Sequence, residues 1–154
     1  MATEIERKFL VNEKLLPAAE QKIVMVQAYL QADPERTVRV RLADGSAFLT
    51  IKGKLVGFSR KEYEYPIPLE DARELLDLAI YPPIEKVRHL IWVDGKKWEV
   101  DFFAGANQGL VLAELELPDE NEQVELPPWI KTEVTGLVKY HNSYLSQHPY
   151  LEWK

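Results

Sequence analysis

Residues 4–9 read Glu4-Ile5-Glu6-Arg7-Lys8-Phe9. In an extended strand, residues two apart point the same way. Glu4, Glu6 and Lys8 therefore share one face, while Ile5 and Phe9 lie on the other. The pattern recurs along the chain, with Arg39 and Arg41 flanking Val40, and Glu62 and Glu64 flanking Tyr63. Further on, Lys86 and Arg88 flank Val87, Glu99 and Asp101 flank Val100, and Glu114 and Glu116 flank Leu115. Each stretch offers an apolar face to a core and a charged face to something else. A face that only needs wetting has no reason to sort its charges into carboxylate pairs and cation pairs.

Around these pairs the sequence organises into strands near 3–11, 23–31, 36–43, 46–53, 58–66, 84–93, 97–103 and 110–118. Asp44-Gly45 and Asp94-Gly95 fit two-residue hairpin turns, whose central positions favour residues tolerant of positive φ. Leu69, Ala72, Leu75, Leu76 and Ala79 recur at helical intervals, and Pro82-Pro83 ends that element. A short helix is expected within 13–21 and another over 137–147. Eight strands are about the number that closes a barrel around one small ligand. With the charged faces inward, the outward set (Ile5, Phe9, Val40, Ile51, Tyr63, Tyr65, Val100 and their like) would pack beneath helices. Such a lumen cannot be dry, because uncompensated ions in an apolar interior cost several kcal/mol each. An open sheet with one wet side would show the same alternation, and periodicity alone does not choose between the two.

The chain has 154 residues, 46% hydrophobic and 29% charged, which suits one globular domain. No window approaches a membrane span, and the strand pattern begins too early for a signal peptide. There are no cysteines, so thiol chemistry and disulfides are excluded. Cytoplasmic residence is the default expectation. A net charge of −6 argues against a nucleic-acid binder built on a bulk positive field. No glycine-rich loop leads from a strand into a helix, which excludes a P-loop. His89, His141 and His148 lack metal-ligand spacing and read as structural or exposed, and the four tryptophans read as packing residues.

The ordered motifs resemble those of the CYTH superfamily, the triphosphate tunnel metalloenzymes. Glu4-Ile-Glu6-Arg-Lys8 is similar to that family's N-terminal ExExK signature. It is followed in family order by Arg39-Val-Arg41, Thr50-Ile-Lys52, Ser59-Arg60-Lys-Glu62-Tyr-Glu64, Glu85-Lys86-Val-Arg88, Glu99-Val-Asp101 and Glu114-Leu-Glu116. Glu133-Val-Thr135 and Lys139-Tyr140-His-Asn142 resemble the C-terminal signature of the short bacterial members. The resemblance spans almost the whole chain and implies a single CYTH domain over 1–154. Its fold would be α+β, an eight-stranded antiparallel closed barrel, the triphosphate tunnel, with helices packed outside and a C-terminal helix.

That resemblance also implies an activity and assigns roles. The reaction would be Mg²⁺- or Mn²⁺-dependent hydrolysis of inorganic triphosphate to phosphate and pyrophosphate. A triphosphate needs clustered Arg and Lys, and hard cations need oxygen ligands. Lys8, Arg39, Arg41, Lys52, Arg60, Lys86 and Arg88 would grip the phosphoryl chain. Glu4, Glu6 and Glu114 would hold a metal, with Glu62, Glu64, Asp101 and Glu116 holding a second metal or orienting water. Glu62, Glu64, Glu116 and Lys86 are the catalytic candidates, and the roles of Glu99 and Lys139 stay open. A class IV-type adenylate cyclase and a thiamine or nucleoside triphosphatase are the alternatives on the same scaffold. A non-catalytic triphosphate- or polyphosphate-binding protein is the alternative of another class. Expected partners are inorganic triphosphate or a related organic triphosphate, with no nucleic acid (short RNA 5′ ends aside) and no membrane. A homodimer is compatible with the pattern.

Overall fold

The computed structural model describes residues 3–153. Nine strands run β1 (Thr3–Val11), β2 (Gln21–Asp33), β3 (Arg36–Ala43), β4 (Ser46–Gly53), β5 (Ser59–Pro66), β6 (Ile84–Val93), β7 (Lys96–Phe103), β8 (Val111–Glu116) and β9 (Ile130–Glu133). Two α-helices, α1 (Leu69–Leu75) and α2 (Asn142–Gln147), complete the regular elements. The strands pair in the order β5-β4-β3-β2-β6-β7-β8-β1-β9, and β5 also pairs β1. That last pairing, Glu4 opposite Arg60, closes strands β1–β8 into an antiparallel barrel. β9 then pairs β1 at Phe9 and Val11, beyond the residues that β5 reaches. Asp44, Gly45, Asp94 and Gly95 all adopt positive φ, so the two short hairpins close as their sequences require.

The outward apolar faces are covered unevenly. Phe9, Ile91, Trp98, Val100, Ala113 and Leu115 form one core with Leu117 and Trp129, so the irregular stretch after β8 covers them and no helix does. Trp98 meets Trp129 edge-on at 5.4 Å. On the opposite wall α1 packs Ala72 against Val40 and Ala47, with Leu42, Leu49 and Leu75 around them. A seven-residue helix is about 10 Å long, too short to span an eight-residue strand. Ile51, Tyr63 and Tyr65, expected beneath helices, accordingly stay 37%, 40% and 53% exposed.

Inside the barrel the charged face does not run the full strand length. One step beyond Lys8, Lys86, Asp101 and Glu114, the same faces carry Leu10, Ile84, Phe103 and Leu112. These pack with Leu110, Val134 and Leu145 into an apolar cluster that fills one end of the lumen, and Leu145 brings α2 onto it.

Several boundaries differ from the sequence expectation. In place of a helix over 13–21 there is a 3-10 turn at Glu13–Leu15, after which Pro17 intervenes and β2 begins at Gln21. The expected helix over 137–147 is a 3-10 turn at Val138–Tyr140 and then α2. The two are separated by His141 in extended conformation, at φ −74° and ψ 139°. β9 has four residues and no fully buried position, which left no alternation to read.

Candidate active site

The barrel encloses a cavity of about 170 Å³. Every wall strand contributes to it, β2 through Tyr29 and β7 through Glu99, while Asp101 of β7 does not line it. Glu4, Glu6 and Lys8 come from β1, Arg39 and Arg41 from β3, Thr50 and Lys52 from β4, and Arg60, Glu62 and Glu64 from β5. Lys86 and Arg88 come from β6, Glu99 from β7, and Glu114 and Glu116 from β8. All the sequence-proposed site residues except Asp101 therefore line one space. Strand register explains the convergence, because Glu6 lies opposite Glu116, Lys8 opposite Glu114, Lys52 opposite Glu62 and Glu99 opposite Glu114.

Both signs of charge reach deep into the lumen. Glu4 and Glu114 are buried, as are Lys8, Arg39, Lys86 and Arg88, whereas Glu64 and Glu116 are exposed at the rim. Asp101 is 1% exposed and lies beneath the cations. Its carboxylate accepts Lys86 Nζ at 2.8 Å and a bidentate pair from Arg88, Nε at 2.8 Å and Nη2 at 2.9 Å. Arg88 Nη2 reaches on to Glu114 at 3.0 Å and Nη1 to Glu99 at 3.1 Å. Burial opposes ionisation of Asp101, but Arg88 and Lys86 outweigh it and hold its pKa at about 2. Burial also opposes ionisation of Glu114, and Lys8 and Arg88 again prevail, well below the usual carboxylate range. Burial, with Arg88 and Arg41 nearby, pushes Lys86 down to about 7 against the pull of Asp101.

The remaining cations are less well matched. Arg41 donates only to the amide oxygen of Gln27, at 2.9 Å, and burial beside Arg39 and Arg88 lowers it to about 9. Arg39 reaches Thr50 Oγ1 at 3.4 Å and comes no nearer than 3.9 Å to Glu64. Among the described residues, two buried side-chain nitrogens have no hydrogen-bond partner, Arg39 Nε and Arg60 Nε. Both belong to cavity-lining arginines. A buried donor without an acceptor is costly, and an anion in the lumen supplies one.

The carboxylates show the converse imbalance. Lys52 donates to both oxygens of Glu4 at 3.1 and 3.2 Å, and although burial opposes it, Lys52 and Arg60 hold Glu4 below its ordinary value. Glu6 sits well above, raised by burial and by Glu114 and Glu4. Glu62 is raised by burial and Glu4, and Glu116 by burial with Glu4, Glu62 and Glu99 around it. Among the described residues no three carboxylate or imidazole groups are drawn into a coordination sphere, since Glu4 and Glu114 turn toward Lys52, Lys8 and Arg88. The donor set nonetheless fits a hard divalent cation. It is all oxygen, and a bound cation would offset the burial and mutual repulsion that raise Glu6, Glu62 and Glu116.

Tyr29 and Thr37 also line the cavity and lie outside the sequence-proposed set, as do three residues of the C-terminal segment. His141, Asn142 and Ser143 line the cavity from the C-terminal segment. His141 reads as structural by spacing alone, yet burial and the nearby Lys8 and Arg60 lower it to about 4, so it stands neutral beside the cations. Asn142 was legible only as part of the C-terminal motif. Lys139 does not reach the lumen and lies over the Trp153 ring at 4.9 Å. Glu99 does reach it.

Residues 2–146 match the CYTH domain. The chain is 44% identical to a curated inorganic triphosphatase of Acetivibrio thermocellus, across 100% of this chain and 99% of that protein. It is 34% identical to one from Nitrosomonas europaea, across 94% and 97%. A crystal structure of an inorganic triphosphatase superposes with a TM-score of 0.68 at 33% identity, covering 95% of both chains. The barrel fold is thus shared along nearly the full length, and the chain belongs to the CYTH family.

Proposed function

We propose that this chain hydrolyses inorganic triphosphate to phosphate and pyrophosphate in the barrel lumen, with a divalent cation, Mg²⁺ or Mn²⁺. The observation that carries the reading is the pair of guanidinium nitrogens without a hydrogen-bond partner among the described residues, Arg39 Nε and Arg60 Nε, in a cavity lined by polar and mostly charged side chains. Inorganic triphosphatases with 44% and 34% identity along nearly the whole chain support it. Arg39, Arg41, Arg60, Lys8, Lys52, Lys86 and Arg88 would bind the phosphoryl oxygens, and the deep cations would stabilise charge as the P–O–P bond breaks. Glu62, Glu64 and Glu116 stand at the shallower side, where water enters. The raised Glu62 and Glu116 carboxyls suit acceptance of the proton that attacking water gives up. Glu4, Glu6 and Glu114 would hold the metal, which would supply Lewis-acid stabilisation of the charge on the phosphoryl group. Asp101 would fix Lys86 and Arg88 from below.

Binding would exchange partners. Triphosphate oxygens would take Lys52, Lys8 and Arg88, which would leave Glu4 and Glu114 free to hold a cation. The test is the purified chain with inorganic triphosphate, ATP or thiamine triphosphate, with and without metal. Expected is equimolar phosphate and pyrophosphate from inorganic triphosphate, only with metal, and much slower turnover of ATP. Cyclic AMP as the main product from ATP would transfer the assignment to a cyclase, and binding without turnover to a sequestering protein.

A pH prediction follows from Glu6. Because burial, with Glu114 and Glu4 nearby, raises Glu6 well above its ordinary value, Mn²⁺ binding to the substrate-free chain should tighten as pH rises, with proton release. Calorimetry in two buffers of different ionisation enthalpy checks this, and Glu6→Gln should remove most of the pH dependence.

A further inference from the structure

Two neutral amides tie the C-terminal helix to the cations of the lumen. Gln27, on β2, is fully buried, and the strand register sets it opposite Arg41 on β3 and Ile84 on β6. Its amide oxygen accepts from Arg41 Nε, and its amide nitrogen donates to Asn142 Oδ1. Asn142 opens α2 directly after the extended His141, and its Oδ1 also accepts Lys86 Nζ at 3.0 Å. One carbonyl oxygen thus fixes an ammonium directly and a guanidinium through one intermediate. Neither amide brings charge, so Arg41 is held without a counter-charge and Lys86 gains no second one beyond Asp101. The orientation of Asn142 is dictated as well, since both of its neighbours are donors and only the carbonyl oxygen can face them.

We infer that Asn142 is a positioning residue for triphosphate, through which α2 sets Lys86 and, by way of Gln27, Arg41 against the phosphoryl chain. The inference rests on the triphosphatase reading. It distinguishes α2 from a simple stopper, because a stopper needs only Leu145 in the apolar cluster. It also accounts for a carboxamide at this position, since a carboxylate would make the same two hydrogen bonds but set a second acid, after Asp101, against Lys86 and weaken its grip on an anion.

That contrast gives a test in which binding and stability move in opposite directions. Asn142→Asp keeps the acceptor and adds an ion pair with Lys86. Its melting temperature should equal or exceed that of the parent, while KM for triphosphate rises at least about tenfold. Asn142→Ala should lower kcat/KM by a similar factor, with a modest fall in melting temperature. Gln27→Met, which severs Arg41 from Asn142 without altering a cavity-lining residue, should also raise KM. Arg39→Ala, measured in parallel, reports on the reading beneath. If Arg39→Ala loses activity while both Asn142 variants stay within about twofold of the parent, the inference falls and the reading stands. If the losses merely track lowered melting temperatures, Asn142 is structural and the inference also falls. If Arg39→Ala is silent too, both fall.

Discussion

Glu6→Gln is expected to abolish turnover while making the folded chain more resistant to heat. Gln keeps the shape of the side chain and removes the charge that would bind metal. The loss of a metal contact is several kcal/mol of transition-state stabilisation, or about 10²–10³ in rate. Stability should move the other way, because among the described residues no cation pairs with Glu6 and it is raised by burial and by Glu114 and Glu4. A carboxyl raised in the folded state binds its proton more tightly there than in the unfolded chain. Its ionisation therefore costs stability as pH rises from the ordinary carboxylate range toward its folded pKa. The neutral amide escapes that cost, so the gain in melting temperature should be near zero at about pH 4 and grow toward about pH 8. Steady-state rates over a range of metal concentrations, with melting curves at both pH values, check the pair of effects. Near-full activity in Glu6→Gln would remove Glu6 from the metal site.

Asp101→Asn should show the largest loss of stability at any site position. Asp101 is the acid bonded to Lys86 and doubly to Arg88, and breaking a buried pair from one side typically costs about 3–5 kcal/mol. Lys86, already lowered to about 7, can shed its proton, and Arg88 keeps Glu99 and Glu114. The lower end, about 3 kcal/mol, is therefore expected, or about 6–12 °C in melting temperature for a chain of this size. The sign of the pH dependence is opposite to that of Glu6. Asp101 is depressed from 3.8 to about 2, so its contribution is complete above the ordinary carboxylate pKa. It is lost as pH falls toward about 2, where parent and variant should converge. Equal melting temperatures at neutral pH would mean that Asp101 does not hold the two cations.

The barrel was legible because its strands follow a period of two and its turns carry Asp-Gly at positive φ. Glu4, Lys52, Arg60 and Glu62 meet at the closure between β1 and β5, as inward alternation requires. What the alternation could not show was where the charge stops. Leu10, Ile84, Phe103 and Leu112 continue the lumen face of Lys8, Lys86, Asp101 and Glu114, and they fill the barrel only because α2 arrives from far along the chain with Leu145. Asp101 and Glu99 have the same parity, and only pairing across β6 distinguishes the one beneath the cations from the one facing the cavity. His141 and Asn142 were unreadable as site residues for the same reason. They sit at a helix start whose position depends on tertiary contacts, and a neutral amide or imidazole in an irregular segment leaves no periodic mark. β9 was missed because four half-exposed residues bury too little to impose a pattern.

The central claim is that the lumen cations are assembled around a polyanion, and melting the chain with metal-free triphosphate tests it most directly. A ligand bound only by the folded form stabilises by about 2.7 kcal/mol at a hundredfold excess over Kd, which is about 5–10 °C for this length. Triphosphate should give a shift of that order, sulfate at equal ionic strength a smaller one, and Arg39→Ala a blunted response to triphosphate. A melting temperature that stays flat across triphosphate concentrations, in folded protein, would contradict the account.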